Sequence, residues 1–162
     1  MRRDDRPAPG DVDAMTDAVL TASRLLVAVS ARSIAAVDES ITIPQFRLLV
    51  VLDTRGQLKL STLAEYLGVN PSTVTRMVDR LVAANLVTRE ANPASRRELF
   101  VSLSGSGSAV VHEVTQHRRG EITRIVSRMT PTARRGLVRA LTAFTEAGEE
   151  PAVTDQADGI WL

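Results

Sequence analysis

The chain has 162 residues, of which 44% are hydrophobic and 24% charged, and its formal net charge is +1. These values are typical of a single globular domain that buries a core. The absence of cysteine excludes disulfides, thiolate metal sites and redox sensing through thiols. No uninterrupted apolar run approaches the roughly 18 residues of a membrane span. Residues 1–10 also lack the apolar core of a secretory signal. The sequence therefore predicts a cytoplasmic protein with no membrane contact.

The first region of the chain combines a short tail with a long amphipathic helix. Residues 1–10 are predicted to be a disordered tail, and residues 11–38 to contain the helix. Its apolar residues recur every three or four positions, at Met15, Val19, Ala22, Leu26 and Val29. Such an apolar stripe needs a partner surface, and a symmetric homodimer would provide one.

A second helix is predicted to begin after Thr42. Thr42 and Gln45 have the spacing of a capping box, and Ile41 and Phe46 have that of a hydrophobic staple. The helix continues through four apolar residues, Leu48, Leu49, Val51 and Leu52. Arg47 on this helix is a candidate anchor for an anionic ligand, and an ordinary surface arginine is the alternative interpretation.

Residues 60–90, LSTLAEYLGVNPSTVTRMVDRLVAANLVTRE, predict two helices joined by a tight turn. Ser61 is the predicted N-cap of the first helix, and Gly68 is predicted to close it. Asn70 and Pro71 are residue types favoured at the N-cap and at the first position of the second helix. Two helices in this arrangement are typical of a helix-turn-helix, whose second helix enters the major groove of DNA.

The second of these helices has one apolar and one polar face. The apolar face carries Val74, Met77, Val78 and Leu81 at the spacing of a buried stripe. The candidate DNA-contacting residues on and beside the polar face are Ser72, Thr73, Thr75, Arg76 and Arg80. Short side chains let a backbone approach the duplex, and arginine can donate two bonds to a guanine edge. The alternative interpretation is an ordinary solvated helix face.

A basic hairpin is predicted to follow. Asn85 suits the left-handed conformation that ends many helices. Residues 86–88 and 98–103 have the pattern of two strands, and the turn between them is predicted to carry Arg96 and Arg97 at its tip. From residue 72 to residue 97 there are five arginines and two acidic residues, a local charge of +3. This concentration suits contacts with phosphates, and an ordinary exposed turn is the alternative.

The rest of the chain predicts two helices and a tail. A long helix is expected from about Gly105 to Met129, and Thr130 with Pro131 should begin the last helix. Residues 148–162 are predicted to be a disordered tail, with docking of Trp161 into a groove as the alternative.

Chemical motifs are scarce in this sequence. It contains no phosphate-binding loop, nucleophile elbow or metalloprotease motif, so we predict no catalytic residue and no cofactor. His112 and His117 are five residues apart, whereas two ligands on one helix face need three or four. We therefore predict no metal site.

The chain resembles the multiple-antibiotic-resistance regulator (MarR) family of winged-helix proteins. The resemblance is carried by ITIPQFRLLVVL, by STLAEYLGVNPSTVTRMVDRLVAANLVTRE, by the paired arginines with LFVSLSGSG, and by MTPTARRGLVRAL. It implies a homodimer that binds a palindromic operator, with Ser72, Thr73, Thr75 and Arg76 in the recognition helix and Arg97 in the wing. The family commonly has an aspartate where this chain has Ser95, so Ser95 or Glu98 would have to position Arg97.

Together these features predict a mainly α-helical winged helix-turn-helix protein with a small β-wing. Residues 42–104 would form the DNA-binding lobe of a domain spanning residues 11–147, and residues 11–38 and 105–147 would form the dimerisation helices. The predicted function is a repressor that binds duplex DNA as a homodimer and responds to a small aromatic or phenolic effector. Two alternatives remain at this point: a winged-helix module that binds protein instead of DNA, and a small enzyme.

Overall fold

The computed structural model describes residues 9–92 and 95–148, without the side chains of Pro9, Asn92 and residues 95–97. The predicted C-terminal tail with Trp161 lies outside the described residues, apart from Gly148, and so does the predicted N-terminal tail up to residue 8. The chain divides into two compact units, the first ending at Glu121 and the second beginning at Ile122.

Six helices and three strands make up the described residues. They are α1 (Pro9–Ala35), α2 (Ile43–Arg55), β1 (Leu58–Lys59), α3 (Leu60–Leu67), α4 (Pro71–Ala83), β2 (Val87–Asn92), β3 (Ser95–Leu103), α5 (Gly105–Ser127) and α6 (Pro131–Ala147). The strands form an antiparallel sheet in the order β1-β3-β2. The prediction of a mainly α-helical winged helix-turn-helix fold is confirmed.

The helix starts agree with the sequence in two places and differ in two. The capping box of α2 is present, because Thr42 Oγ1 accepts from the Gln45 amide and Gln45 Oε1 accepts from the Thr42 amide. The Thr130 side chain caps α6 as expected. The prediction for Ser61 is wrong, since α3 begins at Leu60 and its N-cap is Lys59, two residues before Ser61. Asn70 is the N-cap of α4, but its side chain makes no capping hydrogen bond.

The core of the first unit is built from α2, α3, α4 and the sheet, with contributions from the end of α1 and the start of α5. Its most buried side chains, each no more than 2% exposed, are Ile34, Leu48, Leu49, Leu52, Leu63, Val74, Val78, Leu81, Val87, Val101 and Val114. The predicted apolar stripe of α4 is thus buried, with Met77 half-buried at its edge. Burial of this stripe leaves the opposite face of α4 in solvent.

The two terminal helices are much more exposed than the core helices. In α1, Val29 and Ile34 are buried, whereas Met15 is 62% exposed and Leu26 is 44% exposed. In α6, within the second unit, no residue is buried, and Val138, Leu141 and Phe144 are all largely exposed. Each helix therefore presents an apolar surface that its own unit does not cover.

One helix in the described part of the chain, Gly10–Ala35 of α1, is long and apolar enough to cross a membrane, with a mean hydropathy of 1.4. The sequence criterion of an uninterrupted apolar run did not find it, because Ser, Thr and Arg interrupt the run while Ala, Val and Leu maintain the average. Length and composition are the only basis for such a role. Arg24 lies in the middle of this helix, and Arg32 forms an ion pair with Glu121 of α5 at 2.6 Å.

Asn85 lies in the turn that follows α4 and is the only non-glycine residue with positive φ (58°) in the described part of the chain. Substitutions there test whether this backbone conformation affects stability. We expect Asn85→Gly to leave the free energy of unfolding unchanged or slightly higher, because glycine adopts this conformation without strain. Asn85→Val should lower it by about 1–2 kcal/mol. Urea denaturation provides the measurement, and Ala84→Val, at φ −83°, is the matched control.

Candidate nucleic-acid interface

Helix α4 brings all five of its predicted DNA-contacting residues to one surface element. Ser72, Arg76 and Arg80 are exposed, whereas Thr73 and Thr75 are half-buried beside them. The Thr75 hydroxyl donates to the Pro71 carbonyl oxygen at 2.8 Å, so it is available to an outside group only as an acceptor. The exposed face of α4 therefore presents small polar residues in its first turn and arginine in the next.

Arg76 and Arg80 have different surroundings. The side chain of Arg76 makes no hydrogen bond or ion pair within the described residues, so it is free to extend away from the protein. Arg80 lies one turn later and lines a cavity of about 240 Å³ between the end of α4 and the start of α2. The other lining residues are Ser40, Ile41, Thr42, Gln45, Leu81, Ala84 and Leu86. Both arginines are exposed, and of the two Arg80 lines this cavity.

An ion pair that the sequence analysis missed connects α4 to the wing. Arg89 Nη1 of β2 lies 2.5 Å from Asp79 Oδ1, and both side chains are partly exposed. An exposed pair of this kind contributes at most about 1 kcal/mol to stability. It engages one of the five arginines of this region, and the local charge of +3 already counts Asp79. The signal was a basic and an acidic residue on opposite sides of a predicted turn.

The wing differs from the predicted hairpin in the length of its strands. Strand β2 extends to Asn92 and β3 begins at Ser95, so the backbone of Arg96 and Arg97 belongs to β3 and not to a turn. The side chains of both arginines lie outside the described residues. Glu98, one of the two residues expected to position Arg97, pairs with Lys59 Nζ of β1 at 3.0 Å.

Two further charged sites were absent from the sequence analysis. The Arg55 guanidinium lies 4.2 Å from the centre of the Tyr66 ring and donates to its hydroxyl at 3.2 Å, joining the ends of α2 and α3. Burial raises the pKa of Asp53 on α2, while a hydrogen bond from Ser108 and the charge of His112, both on α5, oppose the rise. Arg47, the candidate ligand anchor, is exposed on α2 and does not line the cavity beside Arg80.

The order of these elements defines the class of the protein. A helix pair joined by a tight turn at Gly68 is followed by a two-stranded ribbon, and all of them pack on one core. This is the arrangement of a winged helix-turn-helix protein, in which α4 occupies the position of the recognition helix and β2 with β3 that of the wing.

Comparison with known proteins identifies the family. The model of the MarR family matches residues 41–99. RV1404 from Mycobacterium tuberculosis has 62% sequence identity and a TM-score of 0.83, covering 91% of this chain and 100% of that structure. The HTH-type transcriptional repressor MdtR of Bacillus subtilis (strain 168) is 37% identical over 92 residues, which are 57% of this chain and 59% of MdtR. The chain thus spans somewhat more than half of this curated relative.

A structure of mutant MarR from E. coli complexed with operator DNA shares the fold, with a TM-score of 0.65 and 21% identity, covering 86% of this chain and 99% of that one. This chain belongs to the MarR family. Because the family consists of transcription regulators, the prediction that the chain is not an enzyme is confirmed.

The raised pKa of Asp53 generates a pH prediction. Because the folded-state pKa is above the unfolded value, the ionised carboxylate lowers the stability of the fold at neutral pH, and this cost is lost as the pH falls through the folded pKa. We therefore expect Asp53→Asn to raise the free energy of unfolding at neutral pH. Urea denaturation at several pH values should show the gain shrinking on acidification, and a gain that grows toward acid would contradict the assignment.

Proposed function

We propose that this protein is a ligand-responsive repressor that binds a palindromic DNA operator as a homodimer. The observation that carries the proposal is the exposed polar face of α4, where Arg76 lacks any partner within the described residues. The cytoplasm is the corresponding location, since the operator would be found there. Membership of the MarR family supports the proposal, and MdtR, one of its relatives, is named as a repressor.

The residues of α4 divide by the contacts that their chemistry allows. Arg76 reads a base edge in the major groove, and Ser72 and Thr73 lie where the start of the helix would approach the duplex. Thr75 supports the same surface through its acceptor lone pairs. Arg80, beside the cavity, contributes to the phosphate side of the groove, where contacts hold the protein in register.

The wing supplies a second set of contacts. Arg96 and Arg97 are proposed to bind phosphates or enter the minor groove, which adds affinity without strong sequence preference. The sheet supports this role, because β3 pairs with both β1 and β2 and so fixes the ribbon to the lobe that holds α4. The Arg89–Asp79 ion pair is a further contact between β2 and α4.

Dimerisation is proposed to occur through the terminal helices. The exposed apolar side chains of α1, and separately those of α6, would be buried by a second copy of the chain. Two copies of α4 would then face two half-sites about one helical turn apart, which is the geometry that a palindrome requires.

The effector is proposed to be a small aromatic or phenolic compound that prefers the dimer in a form unable to span both half-sites. Arg47 is the candidate anchor for an acidic group on such a ligand. Since the chain has no cysteine, release from the operator would depend on reversible binding and not on thiol oxidation.

The experiment that tests the function is selection of bound duplexes from a random DNA pool. We expect enrichment of a palindrome with half-sites spaced by one helical turn. Failure to enrich any duplex, with binding of a protein partner instead, would favour a winged-helix interaction module and overturn the proposal.

Arg76→Ala and Arg97→Ala should affect DNA binding differently. Loss of Arg76 should cost about 1–3 kcal/mol on the selected operator and relax the preference at one base pair of each half-site. Loss of Arg97 should weaken binding to operator and random duplex alike. Fluorescence anisotropy with both duplexes makes the measurement, and Arg128→Ala, an exposed arginine of the second unit, is the control. Unchanged affinity in both variants would remove the assignment.

Binding to the operator should depend strongly on salt. If the dimer neutralises about six phosphates, three in each protomer, the logarithm of affinity should fall against the logarithm of salt concentration with a slope of about −5. The same anisotropy titrations measure it. A slope near zero would mean that the basic residues of α4 and the wing do not contact phosphates.

Leu26→Glu should weaken the dimer. Leu26 is 44% exposed in the middle of α1, and a carboxylate there would have to be buried on association. Sedimentation equilibrium should show dimer for the parent and a shift toward monomer for the variant. Thr21→Glu adds the same charge on another side of the helix and should remain dimeric. A monomeric parent at micromolar concentration would refute the dimer.

A further inference from the structure

A single serine joins the end of the recognition helix α4 to the start of α5. The Ser104 hydroxyl donates to the Asn85 carbonyl oxygen at 2.7 Å and accepts from the Gly107 amide at 2.9 Å. The Ser104 amide donates to the Leu86 carbonyl oxygen at 3.0 Å. Three hydrogen bonds of one residue therefore connect two helices that are more than twenty residues apart in sequence.

The turn that Ser104 holds is the C-terminal cap of α4. Asn85 is in the left-handed conformation, and its amide donates to the Val82 carbonyl oxygen at 2.9 Å. The Leu86 amide reaches back to the Leu81 carbonyl oxygen, also at 2.9 Å. These bonds connect residues 85 and 86 to the last turn of the helix, so a group bonded to this segment is linked to α4.

Gly107 brings the first turn of α5 directly against the same segment. A Cβ atom at Gly107 would lie 2.0 Å from the Leu86 carbonyl oxygen and 2.7 Å from Leu103 Cδ1, so no other residue fits without movement of the backbone. Gly105, two residues earlier, has no atom within 4 Å of the corresponding position. The close approach is therefore specific to Gly107, and Val111, one turn further along α5, is buried in the core.

We propose that Ser104 and Gly107 are positioning residues that lock α4 and α5 into one rigid joint. The joint fixes the orientation of the recognition helix and transmits any displacement of α5 to the DNA-reading face. Its consequence for DNA rests on the proposed function, whereas the joint itself can be tested on the protein without DNA.

The two roles of the Ser104 hydroxyl can be separated by substitution. Ser104→Ala loses both of its bonds. Ser104→Asp keeps an acceptor for the Gly107 amide and remains a good helix cap, but it cannot donate to the Asn85 carbonyl oxygen. Ser104→Thr retains donor and acceptor. Ser106→Ala and Ser106→Asp are matched controls, because Ser106 is exposed and makes no side-chain hydrogen bond within the described residues.

Two readouts are needed for each variant. Hydrogen exchange in the free protein reports the protection of the Leu86 and Ser104 amides. The ratio of the affinities for the selected operator and for random duplex reports the orientation of α4. A general loss of stability does not change this ratio. We expect Ser104→Asp to speed exchange and to lower the ratio, each by about tenfold, for the loss of one hydrogen bond. Ser104→Ala, which loses two, should have at least as large an effect on both. Ser104→Thr and both Ser106 variants should match the parent.

Gly107→Ala provides a second and independent test. It should displace the Leu86 carbonyl group and lower the same affinity ratio, while Gly105→Ala leaves it unchanged. If Gly107→Ala fails to fold, the Ser104 series decides the question.

The outcomes of these experiments distinguish a failure of the proposed joint from a failure of the proposed function. If Ser104→Asp matches the parent in both readouts, the serine only caps α5 and the proposal is overturned. If the parent binds no duplex, the proposed function fails, and exchange at Leu86 still decides the joint. Faster exchange with an unchanged affinity ratio would overturn the positioning role.

Discussion

Burial of the apolar stripe of α4 is the constraint on which the candidate interface depends. Val74, Val78 and Leu81 are at most 2% exposed, and burial of such side chains contributes roughly 1.5–3 kcal/mol each. Successive residues of a helix are 100° apart, so fixing these three fixes the direction of every other side chain. Arg76 points to solvent because rotating it inward would expose two valines. Hydrophobic packing, and not a hydrogen bond or ion pair of Arg76, thus orients the exposed polar face of α4.

Polar contacts around α4 differ in their effect from the core. They limit small movements of the helix. The Arg89–Asp79 ion pair is too exposed to hold the wing by itself. The bonds of Ser104 are few, but they act on the turn at Asn85, where the backbone is already restricted to one conformation. Weak interactions at a restricted point can define an angle that the nonspecific core leaves partly free. If Ser104 acts as proposed, stability and orientation should respond to different substitutions.

The sequence predicted most of what periodicity and capping chemistry determine. The buried and exposed faces of α4 and the Thr42 capping box could be read directly, because both depend on residues within a few positions of each other. Ser61 was misassigned because β1, a two-residue strand defined by its pairing with distant β3, moves the start of α3. The Asp79–Arg89 pair and the fit of Gly107 against Leu86 likewise depend on contacts across turns, which no local pattern encodes.

The extent of the core also explains why most of α1 is available for contact with another surface. Helix α1 has 27 residues and is about 40 Å long. Only its last two turns reach the core, where Ile34 is buried. In the rest of the helix, leucine, valine and methionine side chains are exposed to solvent, where they do not stabilise a monomer. In the proposed dimer the same residues would be covered, so association would stabilise α1 without drawing on any residue of the reading face. Dimerisation and DNA contact would then use separate surfaces, connected through α5 and the turn that ends α4.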